Sequence, residues 1–181
     1  MLDKSKNSIP YSFKTAKAIF DLANECGVKF FSSSALRYSD EIKGYDGDGK
    51  TAFTTGGGSN MEEYIIHQVE MVVKCLGQGA KAVRYEKHAD NEWAEVIYGD
   101  GRNAKMLFAP CLPFAITVSS KEERSAYLSI NSAFFNNLIA DIFNFFETGK
   151  TSFDTAQTLE VMKIREGVIK AKERAGELID L

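Results

Sequence analysis

The chain has 181 residues, 44% of them hydrophobic and 26% charged, and 25 acidic against 22 basic side chains give a net charge of −3. That length suits one globular domain, or at most two small ones, able to bury a core without disulfide or metal staples. A slightly acidic surface with no basic cluster excludes nucleic acid or an anionic membrane as the main partner, and Cys26, Cys75 and Cys111, lacking any Cys-x-x-Cys pair, fit a reducing cytoplasm.

The first ten residues hold no apolar run of the signal-peptide kind, and no later stretch reaches the ~20 apolar residues of a membrane span. Ser12 reads as the N-cap of a helix to about Cys26, with Ala16, Ile19, Phe20 and Ala23 as its stripe and Gly27 just past its end. Residues Val28 to Ser33 have the aromatic and branched content of a strand leading to Arg37 and Tyr38. An acidic, Gly-rich loop from Ser39 to Lys50 follows, and after Gly56, Gly57 and Gly58 a second helix runs from about Asn60 to Leu76.

From Ala80 to Ile130 the pattern predicts an antiparallel meander: Ala82–Tyr85, Trp93–Tyr98, a turn at Gly99-Asp100-Gly101, then Ala104–Phe108, Phe114–Val118 and Tyr127–Ile130. Two helices close the chain. The first spans about Asn131–Thr148, with Phe135, Leu138, Ile139, Ile142 and Phe146 on one stripe and Phe134, Phe143 and Phe145 widening it. Such a helix is either buried between the sheet and the last helix or forms a subunit contact. The last helix spans about Asp154–Ala175, with Leu159, Met162 and Ile169 as its apolar side. Helices flanking antiparallel strands imply an α+β domain: an open sheet covered by helices on one face, the other face left for association as a homo-oligomer.

Gly44 to Thr51 formally matches the phosphate-binding loop pattern, but no buried strand enters it, no helix leaves it, and Asp46 and Asp48 would repel phosphates. A calcium loop fails equally, with Lys50 at a ligand position and Gly57 where the bidentate Glu belongs. The Gly56–Ser59 stretch is a better candidate, because bare amides before a helix can hold an anion or a polar substrate; a plain flexible connection is the alternative. On the following helix Ile65, Val69, Val72 and Leu76 define the buried side and place His67 almost opposite, beside Glu63, Glu70 and Lys74. Glu63 and Tyr64 can therefore converge on His67, a carboxylate orienting an imidazole for acid–base work; the bland alternative is a solvated polar face. His88 has no visible partner, and no metal site is expected.

The order of these elements resembles the C-terminal part of the glucose–fructose oxidoreductase / inositol dehydrogenase / MocA family of NAD(P)-dependent oxidoreductases. Leu2-Asp3-Lys4-Ser5 looks like its Glu/Asp-Lys-Pro segment, the strand ending Leu36-Arg37-Tyr38 follows, Glu63-Tyr64-Ile65-Ile66-His67 resembles its Asp-x-Gly-x-His, and Phe146 to Lys150 through Leu178 to Leu181 resembles its last helices and final short strand. The resemblance implies a dihydrodipicolinate-reductase-like, largely antiparallel open sheet that supplies substrate and oligomer contacts, beside a Rossmann domain that holds the nicotinamide cofactor. It makes Lys4 the active-site lysine next to the cofactor, His67 the acid/base at the substrate oxygen, Glu63 the occupant of the family's Asp position, and Arg37, Tyr64, Gly57 and Gly58 substrate-side residues. Residues 1–27 then read as a remnant of the interdomain segment with the first helix, and 28–181 as the substrate-binding and oligomerisation domain. Sugar, polyol or inositol-like alcohols are the implied substrates, and NAD or NADP the implied cofactor of a full-length parent. Ser5 stands for Pro and Ile65 for Gly, and no strand with Gly-x-Gly-x-x-Gly opening a helix occurs, so tight cofactor binding by this chain alone is not expected. A non-enzymatic module that self-associates or binds sugar is the alternative.

Overall fold

The computed structural model describes residues 12–120 and 127–181. Helix α1 (Phe13–Glu25) is capped by the Ser12 hydroxyl, which accepts from the Thr15 N–H, and Gly27 follows at φ +67°, as predicted. Strand β1 (Thr51–Gly56), helix α2 (Met61–Leu76), strands β2 (Ala80–His88), β3 (Asn91–Tyr98), β4 (Asn103–Phe108), β5 (Ala115–Ser119) and β6 (Leu128–Ser129), helices α3 (Phe134–Thr148) and α4 (Thr155–Lys172), and strand β7 (Leu178–Asp180) complete the order. The described strands form one sheet in the order β6-β5-β1-β4-β3-β2-β7, and every pairing is antiparallel except β1 with β4. This is the α+β architecture expected from the sequence.

Alternation decides which face is covered. Ala52, Val83, Tyr85, Ala94, Val96, Ala104, Met106, Ile116 and Val118 are buried beneath α2 and α4, where each fully buried large aliphatic side chain contributes roughly 1.5–3 kcal/mol. Phe53, Trp93, Glu95 and Lys105 point the other way, where no helix covers them among the described residues. Gln68, buried within this layer, is satisfied by accepting from Thr54 Oγ1 at 2.6 Å and donating to the Leu107 carbonyl at 3.2 Å.

Five sequence expectations change. The meander is interrupted, because β1 slips between β4 and β5; its Thr51-Ala52-Phe53-Thr54-Thr55 run is the strand that the preceding Gly-rich loop obscured. That loop is not a free turn either. The Gly47 and Gly49 amides donate to the Lys74 and Cys75 carbonyls, so it closes the C-terminal end of α2, and a Cβ on Gly49 would stand 2.8 Å from the Cys75 oxygen.

The predicted strand at 28–33 has no ladder partner among the described residues. Phe30 packs on Phe20 (5.0 Å between ring centroids), Phe31 packs on Phe145 (4.8 Å), and the Ser32 carbonyl accepts from Thr158 Oγ1 at 2.7 Å, so the segment crosses helices rather than joining a strand. On α4 the buried line is Val161, Ile164, Val168 and Ala171, not Leu159, Met162 and Ile169, because Gly167 lets Val83 and Leu181 approach closely on that side.

Helix α3 is not buried between sheet and last helix. None of its residues is fully buried, and Phe135, Ile139, Phe143 and Phe146 are 49–78% exposed along one stripe. This peripheral placement has a direct check by urea denaturation. Phe146→Ser is expected to change stability by less than about 1 kcal/mol, whereas Ile164→Ala in the core is expected to cost about 2–5 kcal/mol.

Candidate functional site

Helix α2 carries the site because its first turn is well made: Asn60 Oδ1 accepts from the Glu63 N–H at 2.9 Å, so the helix starts at a fixed residue and His67 emerges at a fixed angle. Its second side is not a solvated face. Two short 3-10 turns, Ala35–Tyr38 and Asp40–Ile42, and helix α4 pack over it and bury Glu70 to 2% exposure.

Glu70 and Arg37 form a buried ion pair, with Arg37 Nε 2.7 Å from Glu70 Oε2 and both side chains at most 3% exposed. The other carboxylate oxygen accepts from the Ser34 N–H at 3.0 Å. Arg37 also donates to Gln157 Oε1 of α4 at 2.6 Å and lies 4.3 Å over the Phe153 ring. Burial pushes the Glu70 carboxyl above its usual range, against the pull of Arg37 and of hydrogen bonds from Ser34 and Ser33. Arg37, expected on the substrate side, is thus engaged inside the protein.

His67 lies at the edge of this cluster and is half-buried. Its Nδ1 is 2.7 Å from Ser34 Oγ, and its ring meets Tyr64 (5.8 Å) and Phe114 (5.6 Å) edge-on. Burial lowers its pKa from the usual imidazole value, and the positive charge of Arg165 acts in the same direction, so the ring is neutral at neutral pH. Its Nε2 makes no hydrogen bond among the described residues.

Tyr64 therefore meets His67 as the spacing predicted, but Glu63 does not. Glu63 is exposed, its carboxylate accepts from Ser59 Oγ at 3.4 Å, and no ion pair joins it to His67. The glycines are filled by protein. A Cβ on Gly57 would lie 2.5 Å from the Ala109 carbonyl oxygen, and one on Gly58 would lie 2.2 Å from the Tyr64 ring. Close backbone packing explains them without a ligand. Lys4 and its segment lie outside the described residues.

Ser34, Glu70, Gln157 and Arg165 are the residues that sequence reasoning did not assign. Only two had a local signal: Glu70 shares the His67 side of α2, and Ser34 stands where an N-cap for the turn at 35–38 belongs, its Oγ accepting from the Leu36 N–H at 3.4 Å. Among the described residues no group of three or more His, Cys, Asp or Glu side chains could hold a metal ion, and no helix is long and apolar enough to cross a membrane.

A nicotinamide dinucleotide does not fit the residues present. The sequence holds no Gly-x-Gly-x-x-Gly, and at the turn from β1 into α2 the space beside Gly56, Gly57 and Gly58 is occupied by Phe114, the Ala109 and Pro110 carbonyls and the Tyr64 ring.

No family model and no curated protein matches the chain by sequence. Solved structures do match in fold. A protein from Sinorhizobium meliloti 1021 assigned as a myo-inositol dehydrogenase superposes with a TM-score of 0.73 at 10% identity, over 96% of this chain and 72% of that one. An oxidoreductase from Agrobacterium radiobacter, solved with NAD+, L-tartaric acid and magnesium, gives 0.71 at 12% identity over 93% and 70%. The WlbA dehydrogenase from Bordetella pertussis, solved with NADH and UDP-GlcNAcA, gives 0.67 at 12% identity over 94% and 68%. The chain has the α+β fold of the C-terminal part of these oxidoreductases. At that level the resemblance read from the sequence to the glucose–fructose oxidoreductase / inositol dehydrogenase / MocA type holds.

The ion pair makes a sharp prediction for chemical denaturation. Glu70→Gln leaves Arg37 as a buried unpaired charge and is expected to cost about 3–5 kcal/mol, while the double substitution Arg37→Met with Glu70→Leu recovers most of that loss. A Glu70→Gln chain as stable as the parent would show that the pair is not buried as described.

Proposed function

We propose that this chain is the substrate-binding and oligomerisation half of an NAD(P)-dependent oxidoreductase of the glucose–fructose oxidoreductase / inositol dehydrogenase / MocA type, with a sugar, polyol or inositol-like molecule as substrate. The observation that carries this reading is the half-buried, neutral His67, fixed through Nδ1 and flanked by Tyr64 and Phe114, with Nε2 left to a ligand. Within the chain, Tyr64 and Phe114 supply apolar walls that orient a ring-shaped substrate, and His67 exchanges a proton or hydrogen bond with its reacting oxygen. The dinucleotide is assigned to a Rossmann unit working with this one, and Lys4, in its family-like segment, to the junction between the two.

The open sheet face supports the oligomerisation part. Trp93 and Phe53 lie 6.2 Å apart at its centre, and Glu95 pairs across strands with Arg84 (3.6 Å) and Lys105 (3.8 Å). An apolar centre with a charged rim suits association of like subunits. The same face holds a concavity of about 490 Å³ lined by Arg84, Glu86, His88, Trp93, Glu95 and Lys105, which favours a second reading, a non-enzymatic module binding sugar or itself.

Two experiments separate these. Titrating NAD(H) into the 181-residue chain is expected to give no saturable binding; joined to a dinucleotide-binding unit the chain should oxidise or reduce a polyol or sugar, and His67→Gln should lower kcat about 10²–10⁴-fold. Tight cofactor binding by the chain alone, or unchanged turnover in His67→Gln, would sink the enzymatic reading. Light scattering at high micromolar concentration should report an oligomer that Trp93→Lys dissociates, and a monomeric parent chain would refute association through the sheet.

A further inference from the structure

The contact between Ser34 and His67 fixes more than a ring angle. Ser34 is buried at 9% exposure, and its backbone is held on both sides: its N–H donates to Glu70 Oε1 at 3.0 Å and its carbonyl accepts from the Arg37 N–H at 3.3 Å. Its Oγ therefore has a set position, 3.4 Å from the Leu36 N–H and 2.7 Å from His67 Nδ1. An N–H can only donate, so the Leu36 contact uses a lone pair of Oγ and leaves the hydroxyl hydrogen to be placed. Among the described residues Nδ1 is the one acceptor within reach of it.

Two arrangements are available. With the ring proton on Nδ1, that N–H would donate to Oγ and the buried hydroxyl hydrogen would have no acceptor, a loss that disfavours this form. With the ring proton on Nε2, the hydroxyl donates to the bare Nδ1 and both groups are satisfied. We infer that Ser34 is a positioning residue that holds neutral His67 as its Nε2–H tautomer, so that the ring offers a hydrogen-bond donor to a carbonyl or carboxylate oxygen of the ligand.

This rests on the reading that His67 faces the substrate, and it sharpens the substrate's state. A hydroxyl hydrogen would find no lone pair at Nε2 until the ring changed tautomer, so the resting site is matched to the carbonyl-bearing, oxidised partner of the alcohol. A neutral imidazole donating in this way polarises a C=O without first being protonated. Ser34 thereby orients the ring in place of Glu63 and with the opposite polarity, since a carboxylate at Nδ1 would accept from it and leave Nε2 bare.

The test reads the ring itself. Two-bond ¹⁵N–¹H correlation spectra of the labelled chain at neutral pH, with His88→Gln used for assignment, should show His67 as Nε2–H in excess over Nδ1–H by about tenfold. Ser34→Ala should relax the ring toward the mixture of a solvated imidazole and raise its titration midpoint, because a hydrogen bond to the neutral form is removed. Ser34→Thr keeps the hydroxyl and should restore both readouts. A predominantly Nδ1–H ring in the unsubstituted chain overturns the inference, and so does a Ser34→Ala chain, folded by circular dichroism, with tautomer and midpoint unchanged. If Ser34→Ala does not fold, the tautomer of the unsubstituted chain decides alone. None of these signals requires turnover, so a fully active His67→Gln in the joined enzyme would remove the catalytic reading and leave the tautomer result standing.

Discussion

The Arg37–Glu70 ion pair is the interaction on which the rest of the site depends. Two charges taken out of water are costly unless their remaining hydrogen-bonding capacity is met. Here most of that capacity is met: Glu70 is served by Arg37 and the Ser34 amide, and Arg37 by Gln157 and the Phe153 face, with only its buried Nη2 lacking a hydrogen-bond partner among the described residues. Four separate pieces of chain are thereby tied together: the segment before the first 3-10 turn, α2, the loop before α4, and α4 itself. An uncommitted crossing segment at 28–34 becomes a fixed support, and Ser34 reaches His67 as a consequence.

Much of the frame was legible in the sequence because its signals are local. The caps at Ser12, Asn60 and Asp154 and the left-handed Gly149 mark helix ends within a residue or two, and alternation in β2 to β5 reads directly as a half-covered sheet. What the sequence hid is long-range. Strand β1 pairs with β4 about fifty positions away, and nothing in Thr51–Gly56 announces a parallel partner. Residues 28–33 carry strand composition, yet their aromatic rings find α1 and α3 before any strand edge. On α4 the choice between two similar apolar sides was made by Gly167 and its close neighbours Val83 and Leu181.

The site divides in the same way. Tyr64 and His67 lie one turn apart on a helix, so their adjacency follows from periodicity. Glu63 had equal spacing and was claimed instead by the start of its own helix and by Ser59, since a carboxylate in the first turn interacts favourably with free amides there. Arg37 had the right position but was drawn inward by Glu70. The Ser34–His67 pair spans 33 positions and depends on the ion pair that no local pattern encodes.

The buried ion pair locks Ser34 into the folded core, and native-state hydrogen exchange at the Ser34 amide reads that lock. With Glu70 Oε1 as its acceptor at 3.0 Å, that amide should exchange only with the central amides of β2 and β3, at the free energy of global unfolding. Exchange at the rate of an open loop, while β2 and β3 remain protected, would contradict it.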